Sequence, residues 1–199
     1  MKFISKAALY GEIDRIRTEN GVLGPLDPYA LARRHGIKIS VYEFDSRRLS
    51  GVLMRGKRRA EIVVNSSRCA EARRFAVAHE LVHYFLHDGT EFMCLEDSGV
   101  TALEWQANEG AAELLLPYRD FLSFYKNIRS LYIADEDRAV RALAKEFSVT
   151  PGMVKTRLLS LSPEIAQLEA GTPIENIHPL SRRAAAPRKK PSIDVLCEG

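Results

Sequence analysis

Phe75-Ala76-Val77-Ala78-His79-Glu80-Leu81-Val82-His83-Tyr84-Phe85-Leu86-His87 is the stretch from which both the fold and the chemistry are read. Its apolar residues Phe75, Ala76, Ala78, Val82, Phe85 and Leu86 predict a buried helix. Asn65-Ser66-Ser67 offers capping residues for a helix running to about His87. On a helix, residues i and i+4 stack on one face with Cβ atoms about 5–6 Å apart, so the imidazoles of His79 and His83 converge. The spacing His-Glu-x-x-His suits a zinc ion held about 2.0–2.1 Å from each ring nitrogen. Glu80 follows the first histidine and can reach a water at the ion without ligating, where a general base is needed. Two histidines and a carboxylate on a buried helix carry a desolvation cost, which argues against an ordinary core.

Such a site needs a third protein ligand and keeps a fourth position open. Glu104, Glu109 and Glu113 lie on the next helical stretch, about 102–116, which stops at Pro117, and spacing does not choose among them. Asp88, Glu91, Glu96 and Asp97 fall in a stretch read as a solvated loop. His87 adds one more turn to the histidine row, about 6 Å farther along the axis, and reads as a buried support behind the ligands. Tyr118, just past the second helix, is a candidate donor to a developing oxyanion. Trp105 and Tyr84 read as packing.

FAVAHELVHYFLH at 75–87, followed by ExxANxxAAELLLP from Glu104, resembles the ImmA/IrrE family of bacterial and phage metallopeptidases over about residues 20–160. The resemblance implies a gluzincin-like core whose third ligand is the first glutamate of the second motif, Glu104. Asn108, Ala111-Ala112 and Leu114 to Pro117 belong to the same pattern. It also implies a protein substrate, a helix-turn-helix repressor whose cleavage derepresses mobile-element or stress-response genes. Gly110 departs from the pattern, standing where the family usually has a large aromatic. That predicts spare room around the second helix, besides the cost of about 1 kcal/mol that a helical glycine carries relative to alanine.

Working outward, residues 4–17 read as a first helix, and Asp27-Pro28 as the cap and first residue of a short one closed by Gly36. Ile37, Ile39 and Val41 alternate as a strand, and 51–54 with 60–64 read as a hairpin around Arg55-Gly56-Lys57-Arg58-Arg59. Ala60 to Val64 is a strand whose edge suits an extended substrate. Helices are expected at about 136–146 and 151–160. Residues 139–158 have helix-turn-helix character, with Lys155, Thr156 and Arg157 placed to reach DNA. Strands first and helices afterwards give an α+β fold with a small antiparallel sheet. The expected organisation is a metallopeptidase core at 1–125, a helix-turn-helix-like segment at 126–165 and a basic, flexible tail at 166–199.

The 199 residues, 46% hydrophobic and 28% charged, suit one domain or one with an appendage. No apolar run approaches the roughly 18–20 residues of a membrane span, and Glu12 and Asp14 interrupt any leader-like stretch. Cys69, Cys94 and Cys197 lack metal-type spacing and point to a reducing compartment, the cytoplasm. The net charge is only +3, and residues 171–199 hold five basic against three acidic residues. The folded part is left nearly neutral, so DNA binding is not favoured. A non-catalytic regulator that binds DNA or a repressor, with a vestigial or structural metal site, is the rival reading. Glu80 speaks against it, since a structural site has no use for a base.

Overall fold

Local caps begin most of the helices. In the computed structural model, which describes residues 4–22, 26–44, 49–56, 59–88, 91–95 and 101–180, Ser5 accepts from the Ala8 amide and opens α1 (Lys6–Glu19). Asp27 caps α2 (Pro28–Arg34) through the Tyr29 amide, with Pro28 where no N–H is needed. Gly36, at φ +67°, turns the chain out of α2 into β1 (Lys38–Tyr42).

β2 (Leu49–Arg55) and β3 (Ala60–Asn65) form the expected hairpin, with Arg55 opposite Ala60. β1 pairs in parallel with the far side of β3, and β4 (Glu91–Leu95) pairs antiparallel with β2. The order is β1-β3-β2-β4, so the sheet is mixed, not antiparallel throughout. β3 is buried at every position but Glu61, the pattern of a central strand. Ala60 to Val64 therefore offers no free edge to a substrate, and Glu91, read as loop, lies in a strand.

α3 (Ala70–Leu86) packs across β2 and β3, and α4 (Ala102–Leu115) runs against α3. The capping residues expected before α3 are used otherwise. Asn65 accepts from the Ser67 amide and donates to the Leu49 carbonyl, shaping the turn, and α3 starts after Cys69. Gly110 leaves no spare room: a Cβ there would stand 3.0 Å from both Val82 methyls and 3.4 Å from Ile13 Cδ1. Val82 of α3 and Ile13 of α1 already fill the position beside Gly110, a correction to the sequence expectation.

Pro117 ends α4 and immediately precedes α5 (Tyr118–Ala134), a helix not anticipated. α6 (Glu136–Phe147), α7 (Pro151–Ser160) and α8 (Ser162–Glu169) follow. One apolar cluster runs from Leu9 of α1 through Phe121, Leu143 and Val154 to Ile177. It crosses the 125/126 boundary without a break. Residues 166–180, expected as tail, belong to the fold: α8 reaches Glu169, and Ile177 is fully buried with its carbonyl accepting from the Tyr118 hydroxyl. Residues 181–199 lie outside the described residues.

A buried polar network fastens α7 to α4 and α1. Arg157, 1% exposed, pairs with Glu113 and Glu109, donates to the Leu116 carbonyl, and reaches the Tyr10 hydroxyl at 2.6 Å. Nearby, Lys6 pairs with Glu164 at 2.9 Å. Arg157 is thus core, not a DNA-facing residue. Lys155 remains exposed, paired with Asp137.

Candidate metal centre

α3 turns His79 and His83 to the same side, and the first turn of α4, capped by Thr101, brings Glu104 to them. His79 Nε2 and His83 Nε2 are 3.1 Å apart. Glu104 Oε2 lies 3.4 Å from His79 Nε2, and Glu104 Oε1 lies 3.3 Å from His83 Nε2. Ligands at about 2.0–2.1 Å in a tetrahedron are about 3.3–3.4 Å apart. The three donors already stand near that separation, and among the described residues these three form the group able to hold a metal. Two neutral nitrogens and one carboxylate suit a borderline divalent ion and leave a position open.

Burial penalises charge on His83, His87, Glu104 and Glu80, in different ways. It lowers His83 and His87, keeping both imidazoles neutral, as ligation requires. Burial also opposes ionisation of Glu104, but the two imidazoles outweigh it and hold the carboxyl well below its usual range. Glu80 is fully buried, and burial pushes it up to about 7. His79 and the Leu53 amide pull it back down, yet neither carboxylate oxygen has a partner at hydrogen-bonding geometry. A buried carboxylate in that condition fits a site whose missing polar neighbours arrive with the metal and its water.

Gly51 of β2 makes this placement sterically possible. A Cβ there would lie 3.3 Å from Glu80 Oε1 and 3.5 Å from Glu80 Cγ. The sequence reading passed over Gly51, although a glycine inside a strand pattern signals close approach of another group. From the sequence, Arg55 belongs to the turn of the hairpin. Arg55 instead donates to the carbonyls of His83, Tyr84 and His87, satisfying the open C-terminal end of α3. Gln106, beside His87, carried no sequence signal.

Of the other candidates, His87 joins the cluster from behind, its Nδ1 2.9 Å from His83 Nδ1. Glu109 and Glu113 are taken up by Arg157. Tyr118 is not brought to the site. It lies past the opposite end of α4, about 20 Å along the axis from Glu104 at 1.5 Å per residue, and its ring stacks on Tyr10.

The sequence profile described as IrrE N-terminal-like domain, Peptidase_M78, matches residues 32–159. Among solved structures, a Mycobacterium tuberculosis transcriptional regulator is similar with a TM-score of 0.51 and 22% identity, over 77% of this chain and 47% of its own. At that identity the likeness concerns the fold, and this chain spans about half the length of the matched protein. No curated protein sequence matches it. No helix among the described residues is long and apolar enough to cross a membrane. With a profile match over most of its length, a mixed α+β core and a metallopeptidase-like domain, the chain belongs to the Peptidase_M78 family.

Proposed function

We propose that this protein is a cytoplasmic zinc-dependent endopeptidase that cleaves a helix-turn-helix transcriptional repressor, derepressing mobile-element or stress-response genes. The observation that carries the chemistry is the set of His79, His83 and Glu104 donors at tetrahedral spacing beside a buried Glu80 with no hydrogen-bond partner. The substrate class rests on the resemblance to the ImmA/IrrE family, and the matched transcriptional regulator is compatible with it.

His79, His83 and Glu104 would hold the ion, which when bound supplies Lewis acidity to a substrate carbonyl and acidifies a water. Glu80 accepts a proton from that water as its oxygen attacks the carbonyl carbon. The carbon–nitrogen bond then breaks, and Glu80 returns the proton to the departing amine. Its raised pKa near 7 suits a group that must both take and give a proton at neutral pH. Gly51 keeps the carboxylate seated against β2. DNA binding is not favoured, because Arg157 is buried and Lys155 is already paired.

The test measures metal in the purified protein together with cleavage of a repressor encoded beside its gene. One equivalent of zinc and specific cleavage are expected. Glu80→Gln should keep the metal and lose at least about 100-fold in turnover. Full turnover in that variant overturns the general-base role.

A further inference from the structure

We infer that Gln106 and His87 form a relay that sets the tautomer of His83, leaving His83 Nε2 bare toward the metal position. The inference rests on the metal reading above and deepens it. His83 Nε2 is the ring atom that faces His79 and Glu104, so Nδ1 is the one available for orientation. That Nδ1 lies 2.9 Å from His87 Nδ1, and His87 Nε2 lies 3.0 Å from Gln106 Oε1. Two like ring nitrogens at that distance bond only if one carries hydrogen and the other a lone pair.

The chain of roles follows from its outer end. An amide oxygen only accepts, so His87 Nε2 carries the hydrogen. Neutral His87 then presents a lone pair at Nδ1, His83 Nδ1–H donates to it, and His83 Nε2 keeps its lone pair for a ligand bond. A Gln106 amide turned over would reverse every step and put the hydrogen on His83 Nε2, where no ligand can have it. The side-chain orientation of Gln106 is therefore coupled to ligation.

The relay is anchored at both ends. Gln106 follows Glu104 by two residues on α4, so one helix supplies both the third donor and the outer end of the relay. His87 is fixed through its backbone, whose N–H donates to the His83 carbonyl at 3.1 Å and whose carbonyl accepts from Arg55 at 3.1 Å. His87 and Gln106 are 3% and 4% exposed, which shields the relay from competing water. A carboxylate or carbonyl usually orients a ligating histidine. Here an imidazole and an amide do it without adding negative charge.

The test combines nitrogen-15 NMR of the histidine rings with zinc titration. His87 should appear as the Nε2–H tautomer in the zinc-bound protein, and an Nδ1–H His87 there overturns the relay. Gln106→Leu, which fills the same space without an acceptor, should weaken zinc binding by about 10–100-fold. Gln106→Glu, which still accepts, should stay within about threefold of wild type. Equal loss in both variants, or none in Gln106→Leu, overturns the relay. Wild-type protein that binds no zinc overturns the metal reading, on which the relay rests, whereas zinc binding with the wrong His87 tautomer overturns the relay alone.

Discussion

Glu104, in the first turn of α4, and Glu113, near its last, ride on one helix but meet opposite surroundings. Glu113 is closed in by Arg157 and the Tyr118 amide, and Glu109 shares the same guanidinium and the Tyr10 hydroxyl. The chain itself supplies their countercharge. Glu104 faces the imidazoles of His79 and His83, and burial keeps that of His83 from charging. Burial does not distinguish a working carboxylate from a structural one here, since Glu113 is the more buried. The source of the positive charge does: Glu113 has it from Arg157, whereas in the proposed site Glu104 would have it from the ion.

The largest effect should come from breaking the closed end. Arg157→Met leaves Glu113 buried with no cation and should cost about 3–5 kcal/mol in urea unfolding. A loss under about 1 kcal/mol would mean that the guanidinium is not what holds the two carboxylates. At the open end the signature should invert. Glu104→Ala should weaken zinc binding more than about 100-fold in a calorimetric titration, yet destabilise the metal-free protein less than Arg157→Met does. Loss of zinc on Glu113→Gln instead would reverse the assignment.

A subtler contrast lies in pH. Burial opposes ionisation of Glu109, but Arg157 and the Tyr10 and Ser160 hydroxyls outweigh it and hold the carboxyl below its usual value of 4.5. Below that value the unfolded chain takes up a proton that the native state still refuses. Stability should therefore fall as pH drops from 4.5 toward the native-state value. Glu109→Gln should flatten that fall in acid denaturation curves. The smallest effect belongs to the exposed Lys155–Asp137 pair. Lys155→Ala should change stability by under about 1 kcal/mol, and neither it nor the wild type should shift duplex DNA at physiological salt.

How much of this could be read in the sequence depended on distance along the chain. Asp27-Pro28, the hairpin and the i, i+4 histidines are local signals, and each resolves into the expected element. The choice among Glu104, Glu109 and Glu113 was not local, because all three lie on α4 and only its docking against α3 and α7 separates them. The same applies to Arg157, which looked like a surface cation because its partners are 44 and 48 residues away. Pro117 was read only as a stop, although the same residue opens a helix equally well, and so α5 was missed. β4 was lost because a five-residue strand flanked by acidic residues resembles a loop until β2 is there to pair with it.

The docking of residues 170–180 bears on how the protein can be shortened. A cut at 165, where composition places the end of the fold, deletes Ile177 from the core and removes the Leu180 amide that donates to Glu164. Glu164 is fully buried and bonded to Lys6, so the first residues of α1 depend on a segment at the other end of the chain. Trimming for crystallisation or fusion should therefore begin no earlier than residue 181, and a tag at the amino terminus should leave Lys6 free to reach its glutamate.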